Sequence, residues 1–253
     1  MIGTASECKV YLYDLVTVRT FQCDGAGCGR NLIKYPAITY GAFLHDQHFF
    51  FAVNGNLLLI LFGLHFQSSF MMFILAAFAG DPVTAHRKGC DFLMEYCSVP
   101  VGKKADIVIT SNGGAPLDQN AYQAVKGMTT AESFAADGGV VIICAECADG
   151  LGGDVFYEKM AGCAGPDELM DEIMATPMDE TVPDQWQYQI LVRILQRLHV
   201  IMVCDEKIAP QIREMKMDFA ATLDEAVNKA LAIKGENCSI TVIPDGVSVI
   251  GKE

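Results

Sequence analysis

From residue 104 onward, short apolar segments alternate with longer segments of helical spacing, and this alternation is the strongest constraint on the fold. The apolar segments lie at 106–110, 139–144, 200–204 and 239–243, and VVIIC and VIMVC carry no polar interruption. A strand wetted on one face alternates in polarity, so a strand without alternation needs cover on both faces. Predicted helices between them lie at 118–136, 155–161, 166–175, 184–198, 209–214 and 222–233. Thr222-Leu223-Asp224-Glu225 has the pattern of a capping box at the last of these. Strands and helices in this order predict an α/β fold, a parallel-sheet three-layer domain over residues 104–253.

Residues 106–126 read DIVITSNGGAPLDQNAYQAVK. Here a strand runs into Asn112-Gly113-Gly114, Asp118 opens a helix, and Tyr122, Gln123 and Lys126 fall in its first turns. A strand, a glycine loop and a helix start form a common anion-binding arrangement in α/β proteins. Tyr122 and Lys126 are four apart and Gln123 and Lys126 three apart, so the three share one helix edge. An ammonium and an amide on that edge suit a carboxylate, with the tyrosine closing one side. The same residues also suit an exposed helix with an ordinary lysine, and both readings stay open.

The net charge of −13 excludes a general nucleic-acid partner, because phosphate neutralisation needs an excess of Lys and Arg. That charge is uneven. Residues 1–75 hold four basic and four acidic side chains, so the whole excess lies in residues 76–253. The shift near residue 75 suggests three stretches: a poorly defined hydrophobic leader (1–75), a connecting helix and linker (76–103), and the α/β domain (104–253). Asp81-Pro82 is the helix-start signal of the connecting stretch.

The ten cysteines are scattered over a chain much longer than a disulfide-stapled mini-domain, which favours reduced thiols and a cytoplasmic setting. Cys144-Ala-Glu-Cys147 is a single CxxC at a strand end and reads as structural, as do Cys23 and Cys28. Residues 1–10 lack the form of a signal peptide. The apolar run 57–79 has three readings: a membrane span, a buried hairpin or core segment, or a stretch with no stable structure. His65, Gln67, Ser68 and Ser69 interrupt it and no flanking Lys or Arg accompanies it, which favours the hairpin over the span. His45, His48 and His65 are ligand types without a companion carboxylate or cysteine cluster. His86 and His199 read as capping or surface residues and Trp186 as a core residue. Asp149-Gly150-Leu151-Gly152-Gly153 follows a strand and is expected to line a site. No GxGxxG, GxxxxGK[ST] or GxSxG motif is present.

At several of these segments the chain resembles the nickel-dependent lactate racemase family, in its carboxyl-terminal domain. The matching text is AFAGDPVTAHRKG (77–89), DIVITSNGGAPLDQNAYQAVKGM (106–128), GGVVIICAECADGLGG (138–153), DQWQYQILVRIL (184–195) and IPDG (243–246). The resemblance implies an isomerase in which a nickel-pincer cofactor, derived from a pyridinium nucleotide, takes a hydride from C2 of a 2-hydroxy acid and returns it to either face. Two histidines exchange the hydroxyl proton, and the site lies between two domains. By resemblance, Gln123 and Lys126 contact the substrate, and Tyr122 and Trp186 line its pocket.

The family's amino-terminal domain supplies the cofactor-bearing lysine, the nickel histidine, the catalytic histidine pair and an arginine in a DxTR-type motif. Residues 1–75 contain no DxTR, and Pro36-Ala37 stand where the nickel histidine would follow the Cys28-Gly-Arg segment. No catalytic or metal role is therefore assigned to this chain, and it is not expected to hold the nickel cofactor alone. The implied partners are a small 2-hydroxy carboxylate and a separate amino-terminal catalytic domain, without nucleic acid or membrane. The alternative is a non-catalytic α/β module that binds a small carboxylate or a partner domain.

Overall fold

The computed structural model describes residues 8–14, 17–23, 44–53, 57–66 and 72–253, with side chains from residue 76 onward. In chain order the strands and helices are β1 (Cys8–Asp14), β2 (Thr17–Cys23), β3 (Leu44–Val53), β4 (Leu57–Phe66), β5 (Met72–Gly80), α1 (Pro82–Cys97) and β6 (Ser98–Pro100). Then come β7 (Ala105–Ser111), α2 (Ala121–Phe134), β8 (Ala135–Cys144), α3 (Asp154–Gly162), α4 (Pro166–Ala175) and α5 (Gln185–Leu195). The last are β9 (His199–Val203), α6 (Ala209–Glu214), β10 (Asp218–Ala220), α7 (Leu223–Lys234), β11 (Ile240–Ile243) and β12 (Ile250–Lys252).

Seven strands form one sheet in the order β10-β9-β8-β7-β11-β1-β2. All neighbours pair in parallel except β2, which lies antiparallel to β1. Strand periodicity explains the continuous apolar segments. Val141 and Ile143 of β8 enter a core shared with α2 to α6, while Val140 and Ile142 enter a second core shared with Ala226 and Ala230 of α7. Ile107, Ile142, Ile143 and Ile201 are wholly excluded from water. Each such side chain contributes about 2 kcal/mol of hydrophobic burial. The three-layer α/β fold expected from the sequence is present.

Topology then locates an edge where chain directions diverge. From β7 the chain steps through β8 and β9 to β10, with α2 to α6 on one face. α7 returns over the other face and β11 lands on the far side of β7. Right-handed crossovers require that change of face when the direction of winding reverses. β7 and β11 thus bracket the switch point, at whose carboxyl edge open α/β sheets bind ligands.

Several boundaries differ from the sequence reading. The helix expected at 118–136 starts at Ala121, because Asn120 and not Asp118 provides the cap. β8 begins at Ala135, earlier than the expected 139. β10 and the β6–β12 pair were not anticipated, since three-residue strands leave almost no periodic signal.

By internal contacts the chain divides into two units. One holds the seven-stranded sheet and its helices. The other holds α1 and an antiparallel sheet in the order β3-β4-β5. In the latter, β4 and β5 pair with Leu58 opposite Gly80 and Leu61 opposite Ala77, the pairing of the hairpin reading for 57–79. No helix among the described residues is long and apolar enough to cross a membrane. α1 starts as its sequence signal indicates, with Asp81 Oδ1 accepting from Thr84 N–H at 3.0 Å and Pro82 in the first turn.

Candidate functional site

The loop after β7 is tied to its surroundings by a serine and an asparagine. Ser111 Oγ donates to Pro244 O at 2.6 Å and accepts from Gly113 N–H at 3.1 Å. Asn112 is wholly buried; its Oδ1 accepts from Gly127 N–H at 2.9 Å and its Nδ2 donates to Leu117 O. A Cβ at Gly127 would sit 3.0 Å from both Asn112 Oδ1 and Ser111 O, so glycine is what allows α2 to approach β7 this closely. Asn112, expected as a cradle residue, is therefore a structural tie.

The amino end of α2 is closed in the same way. Ala121 N–H donates to Gly150 O at 3.0 Å, Tyr122 N–H to Leu151 O at 3.0 Å and Gln123 N–H to Asn120 Oδ1 at 3.0 Å. Ala124 N–H returns to Asn120 O at 3.1 Å. The amides that give a helix start its affinity for anions are thus spent inside the protein. The glycine loop expected to line a site is the cap that does this. Gly152 has φ +82° and passes so close that a Cβ would lie 2.2 Å from the Asn120 side chain.

Beside this closed end lies an acidic crevice of about 480 Å³ at the ends of β7, β8 and β9. Ser111, Asp118, Cys144, Glu146, Cys204 and Asp205 are among its lining residues. Asp118 is only 8% exposed. Its Oδ2 accepts from Glu146 N–H at 3.2 Å, while its Oδ1 has no hydrogen-bond partner among the described residues. Three carboxylates make this crevice unfavourable for an anion and suited to hydrogen-bond donors. Sequence reading took Asp118 for a helix opener and passed over Glu146 and Asp205. Their only signal is that each sits just past a predicted strand or loop.

The four predicted substrate residues sit outside that lining. The Tyr122 hydroxyl donates to Asp184 Oδ1 at 2.8 Å. Its ring meets Phe156 and Trp186 edge-on, with centroids 5.4 Å and 5.9 Å away. Burial, followed by the adjacent Asp184 carboxylate, pushes the Tyr122 phenol up to about 12, so it remains a donor. Gln187 Nε2 donates to Tyr122 O, joining α5 to α2. Trp186 is 52% exposed and is not a core residue; the tertiary fold presents its indole as a wall beside Tyr122. Gln123 is half-buried, and Lys126 is exposed with no hydrogen bond or ion pair to the described residues. Asp184, the partner that fixes Tyr122, was read from sequence only as the beginning of a helix. It has φ +66°, a left-handed position outside α5.

A nickel site cannot be assembled from the described side chains. No group of three His, Cys, Asp or Glu side chains among them is arranged to hold a metal. His86 lies on α1 beside Cys90, and His199, at the amino end of β9, contacts Asp218 at 2.7 Å. Both are exposed, as the surface reading expected. The register pairs His45 with His65 and His48 with Phe62; the side chains of these histidines, and the 28–37 segment, lie outside the described residues.

Comparison with known proteins covers both the α/β unit and the segment before it. A family model described as "Lactate racemase C-terminal domain" matches residues 101–251. A lactate racemase of Thermoanaerobacterium thermosaccharolyticum is 45% identical over 240 residues, covering 93% of this chain and 55% of the relative. That alignment is longer than residues 76–253, so the similarity extends into the amino-terminal third, beyond the segments recognised from sequence. A lactate racemase of Lactiplantibacillus plantarum is 50% identical over 179 residues, covering 71% of this chain and 42% of the relative. The solved lactate racemase apoprotein of T. thermosaccharolyticum superposes with a TM-score of 0.68 at 52% identity, over 71% of this chain and 43% of that one. The chain thus spans about half the length of the curated relatives it matches. With the family model covering more than half of its residues, this chain belongs to the lactate racemase family through that family's C-terminal domain.

Proposed function

We propose that this chain is the substrate-side domain of a 2-hydroxy-acid racemase of the lactate type. The observation that carries the reading is the Tyr122–Trp186 wall beside an uncommitted Lys126 on α2. Lys126 supplies a mobile cation and Gln123, one turn earlier, an amide donor for a carboxylate. Tyr122, fixed by Asp184, and the exposed indole of Trp186 give the remaining sides of the pocket a fixed shape. The carboxylate belongs on this edge because the neighbouring crevice is lined by Asp118, Glu146 and Asp205, which repel it.

The chemistry at C2 falls to a nickel-pincer nucleotide in the family. The described residues do not fit that group. The reading assigns the group and its acid/base histidines to an amino-terminal catalytic domain, in the same protein or in another chain. On this reading the domain by itself orients a hydroxy acid and does not racemise it, in a cytoplasmic setting.

Titration calorimetry of the full chain with lactate tests the assignment. Binding is expected, and Lys126→Ala abolishes it; unchanged affinity in that variant would remove Lys126 from the site. Polarimetry of the chain with L-lactate is expected to show no racemisation. Turnover by the chain alone would place the catalytic groups within it.

A further inference from the structure

We infer that His86, Cys90 and Met94 on α1 form a binding site for a thiophilic monovalent cation of the Cu(I) class. The three stand at intervals of four residues, so they share one side of the helix. All three are exposed. Cys90 Sγ lies 3.6 Å from His86 Nδ1 and 3.9 Å from its Nε2. Metal bonds of about 2.3 Å to sulfur and 2.0 Å to nitrogen, opened by about 110–120°, put the two donor atoms about 3.5–3.7 Å apart. The thiol and the imidazole therefore already have the spacing of two ligands on one ion. Binding exchanges the Cys90 S–H proton, which leaves to water, for the metal.

The helix holds this spacing in place. Its first turn is capped by Asp81, whose Oδ1 accepts from Thr84 N–H at 3.0 Å. Ala85, Gly89 and Cys97 are buried, and α1 packs against β4 and β5. The Phe92 ring lies 5.8 Å from that of Phe78 and 4.6 Å from that of Tyr96, centroid to centroid. Met94 Sδ lies 3.8 Å from Ser98 Oγ in the last turn. Its unbranched side chain can swing back towards Cys90, the direction in which helical side chains lean. Side-chain rotation alone closes the site.

Ligand type and number select the ion. No three His, Cys, Asp or Glu side chains gather among the described residues, so the four-ligand cage of a structural zinc is not present among them. Thiolate and thioether sulfur favour Cu(I) instead. Charge points the same way. The Cys90 thiolate neutralises a monovalent ion, since imidazole and thioether are uncharged ligands, whereas a divalent ion would keep a positive charge. Arg87 and Lys88 balance Asp91 and Glu95 within α1, which leaves no surplus negative charge to offset it.

The test alkylates the reduced full chain with iodoacetamide under anaerobic conditions, with and without Cu(I) buffered by bicinchoninate. Denaturation with excess chelator then strips the metal, and an isotopically heavy reagent marks the thiols left unlabelled. Cleavage after Glu95 separates Cys90 from Cys97, so the Cys90 peptide is read by itself whatever the other thiols bind. Cu(I) is expected to move Cys90 from the light to the heavy label, and Zn(II) at the same concentration is not. His86→Ala and Met94→Leu, which introduce strong helix formers, should lose the protection. Equal labelling of Cys90 with and without Cu(I) would overturn the site. Protection that survives His86→Ala would reduce it to a single thiol and overturn it as well. Protection by Zn(II), or protection unchanged in Met94→Leu, would overturn the choice of ion. Circular dichroism checks that the variants fold, and the unaltered chain with and without Cu(I) tests the site independently of them.

Discussion

Two neighbouring places at the carboxyl edge of the sheet look alike in sequence and differ in what they leave free. At the start of α2, the glycine loop at 149–153 supplies carbonyls to Ala121 and Tyr122, and Asn120 supplies the third acceptor. In the adjacent crevice, Asp118 Oδ1 is buried without a partner among the described residues, and Cys204 is one of the lining residues. A loop–helix junction has anion affinity only while its amides are unspent. Here the glycines that suggest a cradle are the means of closing it, and the free polar capacity has moved to side chains.

The largest expected effect tests that closure. Gly152→Ala adds a Cβ where Asn120 already stands, at a positive φ. The left-handed penalty and the damaged cap together cost about 3 kcal/mol. Urea unfolding measures it, and a loss below about 1 kcal/mol would show that the loop yields easily and the cap is not rigid.

A smaller effect concerns the wall that joins the closed end to α5. Tyr122 should ionise near 12, above the ordinary phenol, in ultraviolet difference titration. Since its folded value is raised, its contribution to stability is complete below about 10. It is lost as pH rises from there through about 12. Asp184→Asn should lower the phenol by removing the adjacent charge. An unmoved titration would leave burial as the sole cause.

The smallest effect is expected in the crevice. Asp118→Asn keeps an acceptor for Glu146 N–H while removing a charge whose other oxygen has no partner among the described residues. Stability should change by less than about 1 kcal/mol. A loss above about 2 kcal/mol would mean that the carboxylate is a structural anchor and that the two places are equally closed.

The sheet was legible because both faces of its central strands are covered, which writes unbroken runs such as VVIIC into the chain. The capping box was legible because it is local: Thr222 accepts from Glu225 N–H at 3.2 Å as its spacing predicts. Tyr122, Gln123, Lys126 and Trp186 could be nominated through a family resemblance. Their surroundings could not, because Asp184 lies 62 residues from Tyr122 along the chain. Nor does spacing reveal that Trp186 is exposed or that Cys147 turns away from Cys144.

The sequence by itself determined the layers, the parallel strands and the family, since hydrophobic period and local caps act within a few residues. Only the tertiary structure decided which amides are spent and which carboxylate oxygen has no partner among the described residues. Those outcomes depend on neighbours brought together by crossovers, where chain distance carries no information about spatial distance.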